Sequence, residues 1–237
     1  MHVDVYRSTR ERLSDVVNSL TDEQLATTVP ATPEWTVQGL LSHLVGVATD
    51  LSRMPAGAPH AVIPPPDAYT AMHIVQRQDR SAAEIVVEWD KSGPMLEERM
   101  RNDWGAWSAP MHDLLCHEAD IRGALQLPRM PEEAWRHGSL DIFPAFLTEF
   151  APRLSRRWAL PDVGTLTVHT GDAGTYTLGT GEPTATVTVP EAYELWRAMF
   201  GRRSKRQMSA WDWSVDPAPY LQPLSFFDIT EKDLTER

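Results

Sequence analysis

Apolar residues recur at helical spacing from the start of the chain to about residue 125, and between residues 163 and 189 the pattern changes to alternation. Val5, Leu13, Val16, Val17 and Leu20 fit a 3.6-residue period and predict a first helix over residues 3–20. Two prolines within residues 28–35 end it. A second helix starts at Thr36, a good N-cap. Trp35 and Leu40 flank it at staple positions, while Gly39 stands where a capping acid is usual. Leu40, Leu41, Leu44, Val45, Val47, Ala48 and Leu51 give this helix a wide apolar stripe. Residues 54–67 are Pro-rich and read as a loop. A third helical region is expected over residues 68–103, broken at Gly93-Pro94, and a fourth over residues 110–125, stopping before Pro128. Four helices with short or Pro-rich connections predict a helix bundle.

The second half reads differently. A helix is expected over residues 131–159, followed by three strands, TLTVHT (165–170), TYTLG (175–179) and TATVTV (184–189). GDAG (171–174) is a hairpin turn between the first two. Residues 191–201 and 204–213 return to helical spacing, with Trp196, Trp211 and Trp213 expected to pack this part. The fold class is therefore mainly α: a four-helix bundle over residues 1–128 and a small α+β domain with an antiparallel sheet over residues 129–237.

Composition narrows the function classes. The 237 residues suit one or two domains, and 42% hydrophobic with 23% charged residues is a globular balance. A net charge of −11 argues against a nucleic-acid partner. A single cysteine, Cys116, excludes an internal disulfide. The N-terminal residues are charged and lack an apolar core, so no signal peptide is expected, and no apolar run approaches the roughly 18 residues of a membrane span. The expectation is a soluble, cytoplasmic protein without a membrane partner. Oligomeric state is not legible.

Candidate chemistry centres on His43, Asp113 and His117. Asp113 and His117 are four residues apart, one turn along the fourth helix, so they share a face. That pair is either a surface pair or two ligands of one metal ion. His43 lies in the apolar stripe of the second helix and points inward, either as a core histidine or as a third ligand. Three protein ligands with one open position suit a catalytic divalent metal. Asp120 is three residues beyond His117 and is placed either to orient a ligand imidazole or to pair with Arg122. Arg122 is otherwise a candidate for holding a carboxylate. Asp120 and Arg122 are thus the candidate catalytic residues. Glu118 is expected at the surface, and Cys116 falls off the Asp113/His117 face, so no nucleophilic role is expected for it. His112 projects about 100° from Asp113 and is not expected as a ligand. His2, His60, His73, His137 and His169 have no evident partner. Arg202 and Arg203 lie in the one dense basic run, residues 201–206, which either collects anionic cofactor or substrate groups or is a solvated helix start. Trp104 and Trp107 either line a pocket mouth or pack.

Two stretches carry a family resemblance. Trp35, Thr36, Val37, Leu40, His43 and Leu44 fit the pattern W-[ST]-V-x-[DE]-L-x-x-H-[LV], with Gly39 as the departure. Asp113, His117, Glu118, Asp120, Ile121 and Arg122 fit an acid, three residues, a histidine and then E-x-D-I-R. Both resemble motifs of the mycothiol-dependent maleylpyruvate isomerase family, within the DinB/YfiT-like metal-binding superfamily of four-helix bundles. VTVPEAYELWRAMFGRRSKRQMSAWDW and the following PYL resemble that family's second domain, so the resemblance spans residues 3–227.

The resemblance implies a divalent metal, most naturally zinc, held by His43, Asp113 and His117, with Asp113 where well-known members have Glu. It also implies mycothiol as the thiol cofactor. Arg122, Arg202 and Arg203 are the candidates to bind it. Metal-bound thiol would ionise near neutral pH and add to an electrophilic small molecule. With a cis-enedioate, addition creates a rotatable single bond and elimination gives the trans product; conjugation is the other outcome. An isomerase or S-transferase is expected. A non-catalytic metal- or small-ligand-binding protein, or a hydrolase using metal-bound water, are the alternatives.

Overall fold

The computed structural model describes residues 2–54, 67–102, 104–136, 164–171, 174–179 and 181–236. The chain divides into two compact units, one of Met1–Ala134 with Glu236–Arg237 and the other of Trp135–Thr235.

Four long helices build the first unit: α1 (His2–Asn18), α3 (Val37–Arg53), α5 (Ala82–Asn102) and α6 (Trp104–Ala124). Between them lie the short α2 (Asp22–Leu25) and α4 (Asp67–Val75), and α7 (Glu132–Trp135) follows. α1 and α3 each pack against both α5 and α6, and α4 lies on α3. The inward faces are largely apolar: Leu13 and Val17 on α1, Leu40, Leu41 and Val45 on α3, Ile85, Trp89 and Leu96 on α5, and Met111 and Leu115 on α6 are all buried. Each such side chain contributes about 1.5–3 kcal/mol by leaving water. Thr36 caps α3 as its sequence suggests, its hydroxyl accepting from the Gly39 N–H at 3.1 Å.

Two boundaries differ from the expected ones. α5 runs straight through Gly93-Pro94, and the break falls earlier, at residues 76–81. Ser81 and Glu84 form a reciprocal cap there, Ser81 N–H donating to the Glu84 carboxylate at 2.8 Å and Glu84 N–H to the Ser81 hydroxyl at 3.3 Å. The S-x-x-E signal sets the helix start, and the cost of Pro94 inside the helix, about 3 kcal/mol, is offset by burial of Ile85, Trp89, Leu96 and Met100 on both sides of it. Gly93 serves packing: a Cβ on it would lie 2.6 Å from the Arg10 side chain. α6 likewise begins at Trp104, with Pro110 inside the helix.

The second unit contains β1 (Thr165–His169), β2 (Thr175–Leu178), β3 (Pro183–Thr188), α8 (Ala192–Met199), α9 (Lys205–Ser209), β4 (Asp212–Trp213) and α10 (Ala218–Leu221). The strand order is β2-β1-β3-β4. β1 pairs with β2 antiparallel, as the hairpin reading requires, but with β3 in parallel, and β3 pairs with β4 antiparallel. The sheet is therefore mixed rather than antiparallel. Alternation specifies which face each residue takes, not which neighbour a strand selects. β2 returns the chain along one edge of β1, and β3 then takes the other edge in the same direction as β1. Ala185 and Val187 of β3 are buried, as are Trp196 and Trp211, while Trp213 stacks on Trp211 with ring centres 6.4 Å apart. The helix expected over residues 131–159 lies mostly outside the described residues, as do the 54–67 loop save its ends, the centre of the GDAG turn, His60, His137 and the side chains of His2, Trp104 and Trp107.

Candidate metal centre

α6 is buried nearly all round. From Met111 to Ile121 only Asp113 retains partial exposure. Over residues 111–121 α6 therefore has no solvated face, and each polar side chain there must find an internal partner.

Asp113 and His117 share one face of α6, and α3 delivers His43 to them. One donor atom from each of the three lies within 4.8 Å of the others. His43 Nε2 is 3.3 Å from Asp113 Oδ2, and His117 Nε2 is 3.3 Å from Asp113 Oδ1. Both histidines are buried; the Asp113 side chain is 32% exposed. Asp113 Oδ2 is itself buried and accepts no hydrogen bond. A buried carboxylate oxygen is stabilised by a donor proton or a cation, and the nitrogen facing this one is His43 Nε2 at 3.3 Å. Tetrahedral coordination at about 2.0–2.1 Å separates ligand atoms by about 3.3 Å, and two nitrogens with one carboxylate oxygen are a suitable donor set for zinc. The side chains present thus fit a divalent metal.

Electrostatics agree with a cation-seeking site. Burial works against the charge on Asp113, but His43 and His117 beside it more than offset this and hold its carboxyl well below the usual carboxylate range. Burial likewise disfavours a charged His117, yet Asp113 and Asp120 prevail and raise its pKa above that of ordinary histidine. Without a metal, protons neutralise the same spot.

Asp120 pairs with His117 rather than with Arg122. Its Oδ2 lies 2.9 Å from His117 Nδ1, so Nδ1–H donates to the carboxylate and Nε2 is left for the triad. Arg122 instead donates to Glu118 at 2.8 Å and to the Pro128 carbonyl at 3.0 Å. Glu118, expected at the surface, is fully buried and also receives two hydrogen bonds from Arg12, at 2.8 and 2.6 Å. The reason is the all-round burial of α6, to which α1 brings the counter-charge. Cys116 is a buried thiol. His112 is buried but stands outside the donor cluster. In the second unit Arg203 is buried with its guanidinium forked onto Glu194 at 2.5 and 2.9 Å, and Arg202 donates to the Phe200 carbonyl at 2.7 Å. The basic run is a helix start capped by Ser204, and the Arg203 charge is neutralised internally.

Two further side chains stand at the site beyond the triad and Asp120. The Trp35 ring, expected as a staple, sits 5.1 Å from the His43 ring and 6.2 Å from that of His117. His73 is buried on α4 with Nδ1 3.4 Å from His43 Nδ1, and its Nε2 is 3.2 Å from Asp50 Oδ2. One clue was available. Gly46 is a glycine in the middle of an apolar helix, three residues after His43, and a Cβ there would lie 2.3 Å from the His73 ring.

Among the described residues, no helix is long and apolar enough to cross a membrane. No curated protein matches the chain. The crystal structure of a mutant of mycothiol-dependent maleylpyruvate isomerase is similar in fold, with a TM-score of 0.51 and 15% identity over 91% of this chain and 92% of that one. The family described as the mycothiol maleylpyruvate isomerase N-terminal domain matches residues 6–143, a span that takes in α3, α6 and all three members of the triad. By that match over more than half its length, the chain belongs to the mycothiol maleylpyruvate isomerase N-terminal domain family.

Proposed function

We propose that this protein is a mycothiol-dependent metalloenzyme, an isomerase or S-transferase, in which His43, Asp113 and His117 hold a divalent ion, zinc by the chemistry of its donors. The observation that carries this reading is the buried Asp113 Oδ2, set 3.3 Å from His43 Nε2 with no hydrogen bond of its own. Bound at these side chains, the metal and the cofactor thiol together supply a thiolate at neutral pH for addition to an electrophilic carbon.

The chain's own contributions follow from the geometry. Asp120 keeps the His117 proton on Nδ1 and so directs Nε2 to the ion. Asp113 provides the one negative charge in the triad, so an ion of charge +2 keeps a net positive charge with which to favour a thiolate. Trp35 lies against both imidazoles and keeps water from that side of the pair. Three protein ligands leave a coordination position for sulfur. Arg122 donates to Glu118 and the Pro128 carbonyl and so ties down the end of α6.

The test is turnover of a cis-enedioate such as maleylpyruvate by zinc-loaded and metal-stripped protein, each with and without mycothiol. Turnover requiring both metal and mycothiol is expected. Metal-dependent turnover that ignores mycothiol contradicts the thiol mechanism and favours metal-bound water as the nucleophile. A protein that takes up no metal contradicts the reading altogether.

A further inference from the structure

The two histidines of the triad are supported in different ways. His117 donates directly to a carboxylate, Asp120. His43 has no carboxylate at its outer nitrogen; it meets a second imidazole, His73, with the two Nδ1 atoms 3.4 Å apart. Beyond His73, its Nε2 faces Asp50 Oδ2 at 3.2 Å, and the Tyr69 hydroxyl donates to that same oxygen at 2.9 Å.

Donor and acceptor inventory gives one arrangement of protons along this chain that leaves His43 Nε2 bare for a metal. An ionised carboxylate only accepts, so Asp50 takes a proton from His73 Nε2–H. A neutral imidazole carries one N–H, so His73 Nδ1 is then a bare acceptor. Two nitrogens in contact share one proton, so His43 Nδ1–H donates to His73. That leaves the lone pair of His43 Nε2 facing Asp113. We infer that His73, held by Asp50 and Tyr69, is a positioning residue that fixes the tautomer and ring orientation of His43 and thereby sets the metal affinity of the triad. The inference rests on the metal-binding reading above. Two packing features hold the relay in place. Gly46 leaves the space His73 occupies, and Arg77 donates to the His73 carbonyl at 3.0 Å, tying down the end of α4.

The test uses the full chain and zinc alone. Zinc affinity is measured by chelator competition for wild type, His73→Leu and His73→Asn. Leucine fills the space without an acceptor. Asparagine places its amide oxygen where Nδ1 stood. The expected result is a 10–100-fold weaker affinity for His73→Leu, as for loss of other outer partners of metal-bound histidine, with His73→Asn restoring most of it. A merely structural role for His73 predicts no such rescue. A second measurement needs no variant: nitrogen NMR of the histidine rings in the zinc-loaded wild type is expected to show His73 protonated on Nε2 and bare on Nδ1. A proton on His73 Nδ1, or a His73→Leu protein that binds zinc as tightly as wild type, overturns the relay. A wild-type chain that takes up no zinc overturns the metal reading as well, so the two failures are distinguishable.

Discussion

Asp113 and Asp120 together raise the pKa of His117, so the metal-free protein keeps a proton on that imidazole to higher pH than free histidine does. Two consequences have definite signs. Zinc must displace that proton, so its apparent affinity rises with pH until the raised pKa is passed, by up to about tenfold per pH unit for one proton. Chelator competition at pH 6 and pH 8 is expected to show tighter binding at pH 8. Stability of the metal-free chain runs the other way. A raised histidine pKa contributes stability that is full below the unfolded value of about 6.5 and is lost as pH rises through the folded value. The depressed Asp113 carboxyl contributes stability that is present above about 3.8 and lost as pH falls through its folded value. His73, whose pKa burial lowers, pulls the other way, so the His117 contribution is expected as the difference between metal-free wild type and His117→Gln in denaturant titrations, with wild type losing its advantage from pH 6 to pH 8.

At the scale of the helix, α6 joins the site to the rest of the bundle, and its buried charges are the means. Glu118 is fully buried between Arg12 of α1 and Arg122 one turn along α6. Removing a partner from a buried cluster leaves charge uncompensated, which costs about 3–5 kcal/mol, whereas a surface glutamate contributes about 0–1 kcal/mol. The Arg12 side chain is 22% exposed and regains some water, so Glu118→Ala is expected to cost about 3 kcal/mol in urea denaturation. A loss under about 1 kcal/mol contradicts the assigned role. The same helix shows where sequence reading reaches its limit. Spacing alone placed Asp113 and His117 on one face, and the apolar stripe around His43 turned that side chain inward. Glu118 was misread because polarity was taken as exposure, and periodicity carries no record of the arginine that α1 supplies from more than a hundred residues away. His73 escaped for a related reason: its partner lies on another helix, and only Gly46 marks the close approach. The break between α4 and α5 is marked in the sequence by S-x-x-E at residues 81–84, whereas Gly93-Pro94 resembles a break but lies within α5.

At the scale of the molecule, the change in apolar period separates the helices of the first part from the strands that begin at residue 165, while the parallel pairing of β1 with β3 is not legible, since strand direction depends on connections that alternation does not encode. The triad belongs wholly to the first unit, so a metal that binds it stabilises that unit. At a free zinc concentration 100 times the dissociation constant the gain is about 2.7 kcal/mol, and a chelator is expected to lower the thermal midpoint accordingly. In the proposed function one divalent cation joins α3 to α6 through three side chains. The most direct test is anomalous diffraction at the zinc edge from crystals of the zinc-loaded protein. The prediction is a single strong peak within about 2.0–2.2 Å of His43 Nε2, His117 Nε2 and one Asp113 oxygen. A peak ligated by other side chains, or none between these three, contradicts the claim.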